Sequence, residues 1–246
     1  MEADRPAGGR DPIKVATDLG QIWFWGRDRG KPLVLMITGA MAPADVWAGE
    51  FDELDYLRVH LPGNHCPPLA ETSIAAFARS IDQALAMNFS GRPVFVAGIS
   101  MGALVGLAMR SPELRGALLI EPPLRTRHLW SVQRMPMEAG LTEQDLLLLK
   151  NVLGVSKAGS EPRDYTHLLA GLRVRTTVVV GSEPLLPKRK VARVPSVVDD
   201  DDRALLAAHP LVRIVLVEGA GHAVHAEGFV PVTRLMFAEA TAALLG

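Results

Sequence analysis

For most of its length the chain alternates short uninterrupted apolar runs with segments whose apolar residues recur every three to four positions. Unbroken runs suit strands covered on both faces, and the three-to-four spacing suits helices with one buried side. The alternation predicts an α/β fold: a mostly parallel central sheet flanked by helices. Strands are expected at 33–37, 56–61, 94–97, 117–120, 174–180 and 214–217, and helices at 74–87, 101–110 and 231–245. Residues 15–17 and 21–25, on either side of Asp18-Leu19-Gly20, read as an antiparallel hairpin at the sheet edge.

The rhythm breaks between Pro122 and Leu172, where no strand pattern is visible. Thr142-Glu143-Gln144-Asp145 opens a helix over 146–153 in the manner of a capping box, Gly154 closes it, and a second short helix is expected over 165–172. An insertion at this point lies over the strand ends, where open α/β sheets bind ligands. The expected organisation is one domain over 1–246 with a small helical cap at approximately 122–172. The acidic run 199–202 reads as a solvated loop in which Asp202 caps a helix over 203–208.

Composition narrows the function classes. With 246 residues, 48% hydrophobic and 22% charged, the chain has enough apolar content to bury a core. A net charge of -1 gives no footprint for a nucleic-acid partner. The polar start and the absence of a long apolar stretch predict no membrane partner and a cytoplasmic location. The single cysteine, Cys66, and the absence of a spaced Cys/His set predict no intramolecular disulfide and no metal site. The totals do not address oligomeric state.

The residues with the clearest chemistry are Gly98-Ile99-Ser100-Met101-Gly102, a G-x-S-x-G pentapeptide between an expected strand and an expected helix. A turn that tight needs glycine on both sides, and it lifts the Ser100 hydroxyl clear of the backbone. A hydroxyl needs a base to become a nucleophile, and His222, on the loop after strand 214–217, is the best placed of seven histidines. His225 invites a metal pairing with His222, but further ligands are missing, so it is read as pocket lining or as bonded to backbone. A carboxylate must orient the imidazole. Glu183, just after strand 174–180, is the preferred acid, and Glu121, just after 117–120, is the alternative. Backbone N–H groups of Met101 and of Ala40, in Thr38-Gly39-Ala40-Met41, are the expected oxyanion donors.

With those residues in place, the chain resembles the α/β-hydrolase superfamily from the first hairpin to the C-terminal helix. Residues 98–102 are similar to the nucleophile elbow, Leu61-Pro62-Gly63 to the loop after the fourth strand, and Glu218-Gly219-Ala220-Gly221-His222 to the histidine loop. The resemblance implies an α/β-hydrolase fold in which Ser100, His222 and an acid match the triad, with Glu183 in the usual acid loop. It implies no cofactor. This chain departs from the family in carrying Thr38-Gly39 where His-Gly is frequent, and glutamate where the acid loop commonly has aspartate.

The expected activity is hydrolysis of a carboxylic ester, with a small-molecule ester or acyl compound as partner. Met41, Trp130, Met135 and His225 are the expected pocket residues, and Leu124, Met137 and 146–149 add apolar surface to the cap. Arg125, Arg127 and Arg134 have two readings: a solvated basic face, or a receptor for an anionic acyl thioester. The alternatives are a thioesterase and a non-catalytic binding protein on the same fold.

Overall fold

The structure is a computed structural model that describes residues 11–40, 52–131, 140–183 and 194–246, without the side chains of His128, Trp130 and Ser131. An eight-stranded sheet organises it, with strands β1 (Ile13–Thr17), β2 (Gly20–Gly26), β3 (Leu33–Ile37), β4 (Asp55–Val59), β5 (Val94–Ile99), β6 (Leu114–Ile120), β9 (Thr176–Gly181) and β10 (Val212–Val217). The spatial order is β1-β2-β4-β3-β5-β6-β9-β10. β1 and β2 form the expected antiparallel hairpin, β2 meets β4 antiparallel, and the pairs from β4 through β10 are parallel.

The unbroken apolar runs are explained by burial on both faces. Leu33, Leu35 and Ile37 of β3 join the core beneath α1 (Ile74–Asn88) and α2 (Met101–Ala108), while Val34 and Met36 face the opposite core. That second core is closed by Val232, Met236, Ala240 and Leu244 of the C-terminal helix α6 (Phe229–Leu245). α1 starts where Ser73 Oγ accepts the Ala76 N–H, satisfying a donor that has no intrahelical partner.

The segment between β6 and β9 differs from expectation in detail. Its helix α3 (Glu143–Leu148) has the full capping box, Thr142 with Asp145, and continues as a π-turn over Leu149–Leu153 to a left-handed Gly154. A two-residue hairpin, β7 (Val155–Ser156) with β8 (Gly159–Ser160), lies where no strand was expected, because two residues are too few to show a period. The predicted 165–172 helix is a 3-10 helix, Thr166–Gly171. The acidic run is also different: Asp199 caps α4 (Asp200–Ala207), accepting the Asp202 N–H at 2.8 Å, whereas Asp202 is buried in the first turn. A capping side chain must precede the helix it caps, and the helix starts three residues earlier than predicted.

α3 leans toward the C-terminal strand ends: a Cβ on Gly63, in the loop after β4, would meet Gln144 Nε2 at 2.9 Å. Among the described residues no helix is long and apolar enough to cross a membrane.

Candidate active site

Ser100 follows β5 directly and is the N-cap of α2, with φ 52° and ψ −114°. A non-glycine residue at positive φ is strained, and the flanking glycines make the turn sterically feasible. A Cβ on Gly98 would lie 2.6 Å from Gly102 O, and one on Gly102 would enter the carbonyl oxygens of Ile37 and Thr38. The Ser100 N–H donates to Ile120 O at 2.7 Å, tying the elbow to the end of β6.

Glu121 is the next residue along β6, also at positive φ, 51°. It is fully buried. His222 comes from the loop after β10, where its N–H donates to Val194 O at 2.9 Å and the preceding Gly221 N–H donates to Glu227 Oε2 at 2.8 Å. Its ring spans the other two residues: Nε2 lies 3.1 Å from Ser100 Oγ and Nδ1 3.2 Å from Glu121 Oε2. A carboxylate accepts only, so the network assigns the proton to Nδ1 and leaves the Nε2 lone pair for the Ser100 hydroxyl.

The carboxylate against His222 is therefore Glu121, the alternative in the sequence reading, and not the preferred Glu183. Glu183 lies two residues past β9, and its backbone joins two loops: its N–H donates to Ala220 O at 3.1 Å and its carbonyl accepts from Ser196 N at 2.7 Å. Its Oε1 accepts from Ser182 Oγ at 3.3 Å. β6 lies between β5 and β9, so a side chain starting at the β6 end stands between the serine and the histidine loop.

Of the two residues expected to supply oxyanion donors, Met101 follows Ser100 directly and Ala40 adjoins Gly39, which lies beside that serine. Met101 is the first residue of α2, so its N–H has no acceptor within the helix. A Cβ on Gly39, next to Ala40, would lie 3.5 Å from Ser100 Cβ. Asn64 Nδ2 donates to Gly39 O at 3.2 Å and holds that loop; Asn64, Ser196, Val197 and Arg203 are residues that sequence reasoning missed. Pro62-Gly63 was a visible signal for the Asn64 loop, whereas nothing local marks the others.

His225, in the short helix α5 (Val224–Glu227), has an Nδ1 without a hydrogen-bond partner among the described residues. Burial, and then the proximity of His222, shifts its pKa downward against the attraction of Glu227. Met41 and Met135, and the side chain of Trp130, lie outside the described residues. Arg125 lies 2.9 Å from Asp202 Oδ1, and Arg127 Nη2 pairs with Asp199 at 2.9 Å and Asp201 at 3.2 Å. Both arginines are thus held by the acidic run.

Residues 34–232 match the alpha/beta hydrolase family. The chain belongs to that family. Among solved structures, this chain is similar to a thermophilic esterase from Thermogutta terrifontis, with TM-score 0.68 and 17% identity over 96% of this chain and 100% of the other. It is also similar to an N-formylmaleamic acid deformylase from Pseudomonas putida S16, with TM-score 0.63 and 21% identity over 91% and 99%. A third is a thioesterase domain from the curacin biosynthetic pathway, with TM-score 0.60 and 16% identity over 93% and 100%. At these identities the likeness concerns the fold. No match was found among curated protein sequences.

Proposed function

We propose that this chain is a serine hydrolase that cleaves a carboxylic ester through an acyl-enzyme, with Ser100, His222 and Glu121 as the triad. The observation that carries this reading is the continuous hydrogen-bonded chain Ser100 Oγ, His222 Nε2, His222 Nδ1, Glu121 Oε2. Ser100 Oγ attacks the ester carbonyl carbon while His222 Nε2 takes its proton. The negative oxygen that forms accepts hydrogen bonds from the Met101 and Ala40 N–H groups, and the α2 N-terminus adds a favourable dipole. Glu121 stabilises the imidazolium without taking its proton. His222 returns the proton to the leaving alkoxide, a water deprotonated at Nε2 attacks the acyl carbon, and Ser100 departs reprotonated.

A site with the nucleophile and base in contact supports turnover over passive binding, since a binding module needs neither group. Ion pairs occupy Arg125 and Arg127, two of the three arginines that favoured an anionic acyl thioester, while Arg134 lies outside the described residues. The decisive test is intact mass after fluorophosphonate treatment of wild type and Ser100→Ala. One adduct on wild type and none on the variant is expected; unlabelled, folded wild type overturns the proposal. A rate on acyl thioesters well above that on the matching oxygen esters would instead make it a thioesterase.

A further inference from the structure

Glu121 uses every acceptor position it has, and its donors come from separate segments. Oε1 accepts from Gly181 N at 2.8 Å and Ser196 Oγ at 2.7 Å, whereas Oε2 accepts from Val197 N at 2.9 Å and faces His222 Nδ1 at 3.2 Å. Four contacts match the roughly four lone-pair sites of a carboxylate.

The Ser196 hydroxyl has its own direction imposed. Arg203 Nη2 donates to its oxygen at 3.2 Å and the Val198 N–H at 3.3 Å. A hydroxyl has two lone pairs and one proton. With N–H donors on the lone pairs, the proton goes outward, and Glu121 Oε1 at 2.7 Å is much nearer than the competing Val198 O at 3.4 Å. Arg203 also donates from Nη2 to Gly181 O at 2.6 Å and from Nε to Val198 O at 3.0 Å. One guanidinium thereby clamps the end of β9 to residues 196–198, the two segments that supply the three donors to Glu121 other than His222.

A glutamate needs such help more than an aspartate, because its extra methylene adds a rotor that must be frozen with the oxygen aimed at His222. We propose that Ser196 and Arg203 are positioning residues for the reaction: Arg203 orients the Ser196 hydroxyl and the β9 end, and these lock the Glu121 carboxylate against His222. This rests on the triad assignment made above, and it concerns residues that touch neither substrate nor the reacting atoms.

The test compares Ser196→Ala, Ser196→Thr and Arg203→Lys with wild type, alone and in a Glu121→Gln background. It reads kcat and KM on an oxygen ester and the far-downfield proton resonance of His222 Nδ1–H. Ser196→Ala is expected to lower kcat about ten- to a hundredfold, with KM within about twofold, and to weaken or shift the resonance. Ser196→Thr, which keeps the hydroxyl, restores most of both. Arg203→Lys, a point charge that cannot bridge three acceptors, lowers kcat in the same direction and serves if Ser196→Ala does not fold. In the Glu121→Gln background Ser196→Ala costs less than about a further twofold, since residues acting as a unit are not additive. Wild-type kcat with an unchanged resonance in a folded Ser196→Ala overturns the proposal, as does full additivity with Glu121→Gln. Failure of the hydrolase reading is separable: Ser100 would not label with fluorophosphonate, while the resonance and its loss in Ser196→Ala would still report the positioning of Glu121.

Discussion

Glu121 and Glu183 are two carboxylates that stand one and two residues past neighbouring strands, and what separates them is where their backbones point. Glu121 emerges at positive φ from a strand flanked on both sides, so its side chain turns into the sheet end between Ser100 and His222. Glu183 spends its backbone groups on the Ala220 and Ser196 contacts. Glu121→Gln, which presents an amide where His222 needs an acceptor, is expected to lower kcat by about a thousand- to ten-thousandfold. Glu183→Gln is expected to stay within a few-fold of wild type, and steady-state ester kinetics on both variants decides between them. The tight turn at Ser100 was legible in the sequence because it imposes a local steric demand that the glycines at 98 and 102 meet. The carboxylate that faces His222 was not, since that contact depends on the distance to a ring 101 residues away, and no local pattern encodes that distance.

At the scale of elements, what reads well is what has a period or a cap. β3 is observed at 33–37 as predicted, because every residue of it is buried and the run is unbroken. The capping box of α3 was readable from four residues, whereas the β7–β8 hairpin and the π-turn beyond α3 were not, being set by tertiary contact. One such contact is Tyr165 Oη donating to Val152 O at 2.6 Å. The box also makes α3 testable alone. Thr142→Ala removes the Oγ1 that accepts the Asp145 N–H at 3.2 Å and leaves a helix N-terminal donor without its partner, which costs about 1 kcal/mol. Because α3 packs at the edge of the sheet ends, that loss belongs to local opening and not to global unfolding. Hydrogen exchange of the 145–148 amides is expected to speed up about fivefold with exchange in β3 and β5 unchanged; equal acceleration everywhere would make α3 part of the global unit.

For the molecule as a whole, the acidic run 199–202 and the arginines of the segment after β6 form a joint between two parts of the chain, and its charge state couples to stability. Asp202 has a fully buried side chain; Arg125 Nη1 comes within 2.9 Å of its Oδ1, and the Arg125 backbone N–H also donates to the carboxylate. Burial, with Asp199 adding repulsion, pushes its pKa up to about 6, against the opposing attraction of Arg125 and Arg127. A group that binds its proton more tightly when folded favours the native state most when protonated. Its contribution is therefore full below the unfolded value near 3.8, falls as pH rises toward about 6, and is constant above that. Two pKa units correspond to at most about 3 kcal/mol. Asp82, raised to about 6 mainly by burial, acts in the same direction and window, while Asp55 acts oppositely and at lower pH. For Asp55, burial raises the pKa but is outweighed by donors from Arg29 and Lys31 and by Arg92, so its stabilisation is lost on acidification below the ordinary aspartate range. Asp202→Asn isolates one member of this set, because neutral asparagine keeps the shape, can still accept from Arg125 and does not titrate. Urea unfolding from pH 4 to 8 should show the variant gaining on wild type between pH 4 and 6 and holding a constant advantage above, with Asp82 leaving residual slope in both. Parallel stability curves across that window would mean that Asp202 is ionised at little cost, with the Arg125 pair fully compensating its burial.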